Sequence, residues 1–70
     1  MNLMKRSFTL LGHRTSVALE PEFWHVLEAE AARSGQSLAL YISHIDAARG
    51  TNPLASALRL AALAAAQRGL

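Results

Sequence analysis

Lys5, Arg6 and Arg14 have the clearest chemical reach in this chain. The first 19 residues hold these three cations and no carboxylate, a local charge of +3. Residues 20–70 set five acids (Glu20, Glu22, Glu28, Glu30, Asp46) against four arginines (Arg33, Arg49, Arg59, Arg68) and sum to −1. The modest net charge of +2 therefore conceals an uneven distribution. A segment of this kind is either a solvated basic tail or an electrostatic footprint for a polyanion. Two chains side by side would bring six such cations together.

Other chemistries find less support. Serine, histidine and carboxylates are present, but there is no nucleophile elbow, phosphate loop or carboxylate pair with a pocket to serve. His13, His25 and His44 include no i, i+4 pair, and there is no cysteine to support them. No metal, cofactor or small-molecule substrate is expected, and no enzyme. Seventy residues leave little room for a ligand cavity of the usual ~300 Å³ or more.

These side chains must be held by short elements. Residues 14–19 alternate, with Thr15, Val17 and Leu19 on one face and Arg14, Ser16 and Ala18 on the other. That period of two, with β-branched residues, predicts a strand. Residues 7–11 are also strand-like, and Gly12 between the runs marks a bulge or turn. One long kinked strand and a Gly12-His13 hairpin both fit.

Glu20-Pro21 predicts a helix start, because proline suits the first helical position. Phe23, Trp24, Leu27 and Ala31 form its apolar stripe, and Gly35 suits its end. The aromatic pair reads as core rather than as a stacking platform for bases. Ser37 then caps a second helix whose stripe is Leu38, Tyr41, Ile42 and Ile45, ending near Gly50. Asn52-Pro53 repeats the start signal, cap then proline. A third helix over about 53–68 is rich in alanine and leucine, and such a surface is rarely left bare in water. It is expected to pack on a partner chain or form a second interface.

Size points the same way. A monomer of this length buries only about 60% of its unfolded surface, yet 51% of the residues are apolar and no disulfide can help. A shared oligomeric core resolves the conflict. Residues 1–11 carry Lys5 and Arg6 without a long apolar region after them, so no secretory signal is expected. The longest apolar tract, 54–66, is broken by Ser56 and Arg59 and falls short of the ~20 residues of a membrane span. A cytoplasmic protein is expected.

The run RTSVALEPEFW from Arg14, followed by AARSGQSLALYI from Ala31, resembles the Arc/MetJ-like ribbon-helix-helix DNA-binding domain family. More narrowly, GHRTSVALEPEFW from Gly12 with SLALYISHID from Ser37 resembles its short bacterial subgroup with an extra C-terminal helix. The resemblance implies a mostly helical fold with one N-terminal strand that pairs antiparallel across a homodimer, plus three helices. It divides the chain into an N-terminal arm or strand extension (1–13), the ribbon-helix-helix core (14–50) and the third helix (51–70). It also implies a mechanism in which the two-stranded ribbon enters the DNA major groove, where outward side chains read base edges.

On that alignment the base contacts are Arg14, Ser16 and Ala18. Lys5, Arg6 and His13 would touch the DNA backbone, as would Gln36, Ser37 and Leu38 at the second helix N-terminus, although Ser37 is equally an ordinary N-cap. Val17, Leu19, Phe23, Trp24, Leu27, Leu38, Tyr41, Ile42 and Ile45 would form the dimer core. Ala18 departs from the polar residue expected there, which leaves Arg14 as the one strong reader per chain. The expected function is a sequence-specific transcriptional regulator, a repressor, bound to double-stranded DNA as a homodimer that the third helix could join into a tetramer. The alternative is an assembly module, or a non-specific architectural DNA binder, built on the same dimer.

Overall fold

Alternation of apolar and polar side chains runs through both halves of the N-terminal segment, and both become strands. The computed structural model describes residues 2–69, so positions 1 and 70 of the terminal regions lie outside the described residues. Strands β1 (Met4–Leu10) and β2 (His13–Leu19) are followed by helices α1 (Pro21–Arg33), α2 (Leu38–Ala48) and α3 (Leu54–Arg68). The expectation of a single strand per chain is corrected by the fold: the chain has two, paired antiparallel as a hairpin from Met4↔Leu19 to Leu10↔His13. Residues 4–10 are thus one side of the ribbon and not a free arm.

The turn explains the pairing. Leu11 and Gly12 connect the strands, and both have positive φ, 51° and 81°. Two-residue loops of that hand match the right-handed twist of the strands they join. Leucine is a poor residue for this conformation, so the turn is weakly signalled in sequence. β1 is obscured further by Arg6, which occupies the apolar row of Met4, Phe8 and Leu10. Its guanidinium lies 5.1 Å from the Trp24 ring centre and pairs with Glu28 at 3.0 Å. A charge sits in a core-facing row because an aromatic face and a carboxylate receive it.

The helices cover the inner face of the hairpin. Trp24, Leu19, Leu27, Ile42 and Leu58 are fully buried, with Leu10, Val17 and Ala62 beside them. Each large side chain contributes about 1.5–3 kcal/mol by leaving water. Phe8 packs on Trp24 with ring centres 5.9 Å apart. Phe23, Leu38, Tyr41 and Ile45 are half-buried against this cluster. Burial pushes the Tyr41 hydroxyl above its usual pKa.

Helix ends follow local chemistry. Pro21 occupies the first turn of α1 behind Glu20. α1 closes when Gly35 (φ 70°) lets Gln36 N–H donate to the Ala31 carbonyl at 2.9 Å and Gly35 N–H to that of Ala32 at 3.0 Å, a paired closure that needs a left-handed residue. The Ser37 hydroxyl caps α2 by accepting from Leu40 N–H at 3.1 Å. Asn52 does not cap α3: Pro53 holds that position, and no side chain caps it.

One side of α3 packs on its own chain, burying Leu58, Ala62 and Ala65 and lying chiefly against α1. Its far side leaves Leu60 and Leu63 exposed. No helix among the described residues is long and apolar enough to cross a membrane.

Candidate nucleic-acid interface

The hairpin has one face toward the helices and one away from them. The pleat sends successive side chains to opposite faces, and the register places Lys5 beside Ala18, Ser7 beside Ser16 and Thr9 beside Arg14 on the outward face. Lys5, Ser7, Thr9, Arg14 and Ser16 are exposed, and Ala18 is half-exposed. Ser7 and Ser16 share a hydrogen bond between their hydroxyls at 2.8 Å. The Arg14 Nη1 reaches toward the Thr9 hydroxyl oxygen at 3.5 Å, a long contact that leaves most of its donors free.

Electrostatics single out this face. Five of the seven cations are neutralised within the chain: Arg6 by Glu28, Arg33 and Arg68 by Glu30, Arg49 by Asp46, and Arg59 by Glu20. Among the described residues, Lys5 and Arg14 alone have no carboxylate partner, and both project from the outer face of the hairpin. That face carries no acid.

The remaining predicted residues are dispersed. Arg6, expected to touch a DNA backbone, is turned to the inner row by the register and held by Glu28 and Trp24. His13 is exposed beside the turn, opposite Leu10. Gln36 N–H is already engaged in closing α1, and its side-chain oxygen is buried without a partner. Ser37 caps α2, so Leu38 sits in a first turn whose leading N–H groups lack intrahelical acceptors. Val17, Leu19, Trp24, Leu27 and Ile42 are buried within a single chain.

Ser7 and Thr9 share the outer face and are absent from the sequence-derived set. The polar run Lys5, Ser7, Thr9 against Met4, Phe8, Leu10 carried their signal, and Arg6 masked it.

A second concavity lies between α1 and the end of α3, an open groove of about 430 Å³ lined by residues including His25, Val26, Glu30, Arg33 and Arg68. It exceeds the volume expected for so short a chain. Its charged groups are engaged with one another: Glu30 receives Arg33 at 2.7 Å and Arg68 at 3.0 Å. The Arg33 hydrogen bond chiefly, then Arg68, holds the Glu30 carboxyl below its usual pKa. His13, His25 and His44 stand on three different elements, and the described residues contain no group of three potential metal ligands.

The family model described as a ribbon-helix-helix domain matches residues 3–66, nearly the whole chain. No curated protein and no solved structure matches it.

Proposed function

This chain belongs to the ribbon-helix-helix domain family, whose members are DNA-binding regulators, and from that premise we propose that it is a sequence-specific transcriptional repressor that inserts its ribbon into the major groove. The observation that carries the reading is the placement of Lys5 and Arg14, the two cations without partners among the described residues, on the outer face of the hairpin. The groove is wide enough for a β-ribbon. Arg14 is the principal base reader, through a bidentate contact to guanine. Ser16 and Ala18 are weaker readers, suited to a hydrogen bond and a thymine methyl. Lys5 and the first turn of α2 at Ser37 and Leu38 bind phosphates, while His13 shares the inner row with Leu10. Arg6 is assigned to the scaffold.

The working form is a homodimer. β2 pairs with β1 along one edge, and no other strand among the described residues pairs with its second edge. That open edge can pair antiparallel with β2 of a second copy, which joins the family's cross-chain ribbon to the intrachain hairpin. It also removes an exposed edge, which natural proteins seldom leave bare. The third helix supports a further contact between dimers. Its two arginines are drawn to Glu20 and Glu30, so Ser56, Leu60, Leu63 and Gln67 form an uncharged seam at coiled-coil spacing. A protein acting on DNA in this way works in the cytoplasm, at the nucleoid.

A salt titration of binding to a random duplex pool, followed by selection, tests the proposal. A steep fall in affinity with salt and an enriched palindromic motif are expected. A steep fall without a motif would favour architectural binding. No binding at low salt would leave the assembly module suggested by Leu60 and Leu63.

A further inference from the structure

The outer row of β1 has no counterpart in a ribbon built from one strand per chain. We infer that Lys5, Ser7 and Thr9 form a phosphate-contacting rail flanking the base-reading row of β2. The inference rests on the DNA-binding reading proposed for this chain and on pairing of β2 with its copy across a two-fold axis. Such pairing orders the sheet with β2 and its copy at the centre and a β1 strand on each side. Strands lie about 4.8 Å apart, so the outermost two are separated by roughly 14 Å. The major groove is about 12 Å wide. When the central strands face the base edges, the outer strands meet the groove walls, where the phosphates run.

The side chains on β1 suit that position. Lysine, serine and threonine are ordinary phosphate partners, and such interactions fix orientation without reading sequence. The two rows are also joined, since the Ser7 hydroxyl lies 2.8 Å from that of Ser16 and the Thr9 hydroxyl 3.5 Å from Arg14. Register across the hairpin therefore sets the reading row at a fixed distance from the rail.

The experiment compares wild type, Lys5→Ala, Ser7→Ala, Thr9→Val and Arg14→Ala on selected and random duplex DNA across a salt series, with thermal unfolding of each protein. All four positions are exposed, so the melting temperatures should stay near wild type. Lys5→Ala is expected to weaken binding to selected and random DNA by the same factor and to lower the salt slope by roughly one for each phosphate no longer neutralised. Ser7→Ala and Thr9→Val are expected to weaken both by roughly tenfold or more, as for one missing hydrogen bond to a charged group, with the selected motif unchanged. An altered motif in any β1 variant would assign β1 to base reading and overturn the rail. Wild-type affinity in all three β1 variants, with weakened binding in Arg14→Ala, would also overturn it while leaving the DNA-binding reading intact. No duplex binding by wild type would remove both.

Discussion

The indole N–H of Trp24 donates to the carbonyl oxygen of Met4 at 2.7 Å. This hydrogen bond fastens the open end of the hairpin to α1, and the same ring receives Phe8 on one side and the Arg6 guanidinium over its face. The outer row of the ribbon is therefore set by a residue that never reaches it. Trp24→Phe keeps a ring in the core but strands the Met4 carbonyl. A destabilisation of about 1–3 kcal/mol is expected, measured by urea unfolding, with faster amide exchange at the start of β1. Unchanged stability and exchange would show that the hydrogen bond is dispensable.

The turn should be improvable. Leu11 is 79% exposed at a φ of 51°, so its side chain gains little there while its backbone is disfavoured. Leu11→Asn is expected to stabilise the fold by roughly 0.5–1 kcal/mol. A Cβ at Gly12 would meet nothing within 4 Å, so Gly12→Ala should cost about 1 kcal/mol through backbone conformation alone. Thermal melts of the two variants should move in opposite directions.

Acid should weaken the fold through Glu20 and Glu30. Glu20 is held below its usual 4.5, first by a backbone hydrogen bond and then by Arg59. Glu30 is held below it chiefly by Arg33, then by Arg68. A lowered folded-state pKa means that the unfolded chain takes up the proton first. The stabilisation is full above 4.5 and declines as pH falls through 4.5 toward the folded-state values. The double variant Glu20→Gln/Glu30→Gln should show a flatter dependence of melting temperature on pH in that window; an identical slope would discard these pairs as its source.

Arg14→Ala should separate binding from folding. Arg14 is exposed and has no carboxylate partner among the described residues, so its removal should leave the melting temperature close to that of wild type. Discrimination between the selected site and random DNA should fall by about 1–3 kcal/mol for each guanine that Arg14 reads. An unfolded variant would show that Arg14 serves the core.

Leu60→Glu tests the seam on α3. Light scattering at high concentration should show wild type growing beyond a dimer, and the variant arrested at the dimer with its fold intact. A strict wild-type dimer, with and without DNA, would remove the second interface.

Much of this was legible in the chain itself. The three helices follow from local signals: Pro21 behind Glu20, Ser37 as a cap, Gly35 and Gly50 at positive φ, and stripes of 3.6-residue period. The outward facing of Arg14, Ser16 and Ala18 follows from the alternation of β2, since period two fixes faces once one row is apolar. The second strand was legible only in part, as a strand-like run over 7–11 and a turn signal at Gly12 that one long kinked strand fitted equally, because Arg6 interrupts its apolar row and Leu11 is an unusual turn residue. Only tertiary structure, Trp24 and Glu28 for Arg6 and the full ladder for Leu11, makes those choices favourable. The packing of α3 on its own chain was likewise undetermined by sequence, since an apolar helix specifies that it must be covered but not by which surface. Which cations remain available was also a tertiary outcome. Sequence counts seven of them, and local helical spacing already pairs Arg33 with Glu30 and Arg49 with Asp46 at i, i+3. The pairs Arg6–Glu28, Arg59–Glu20 and Arg68–Glu30 join residues far apart in the chain, so only the folded chain decides that Lys5 and Arg14 are the cations left on the face of the ribbon, because those pairings depend on distances across elements.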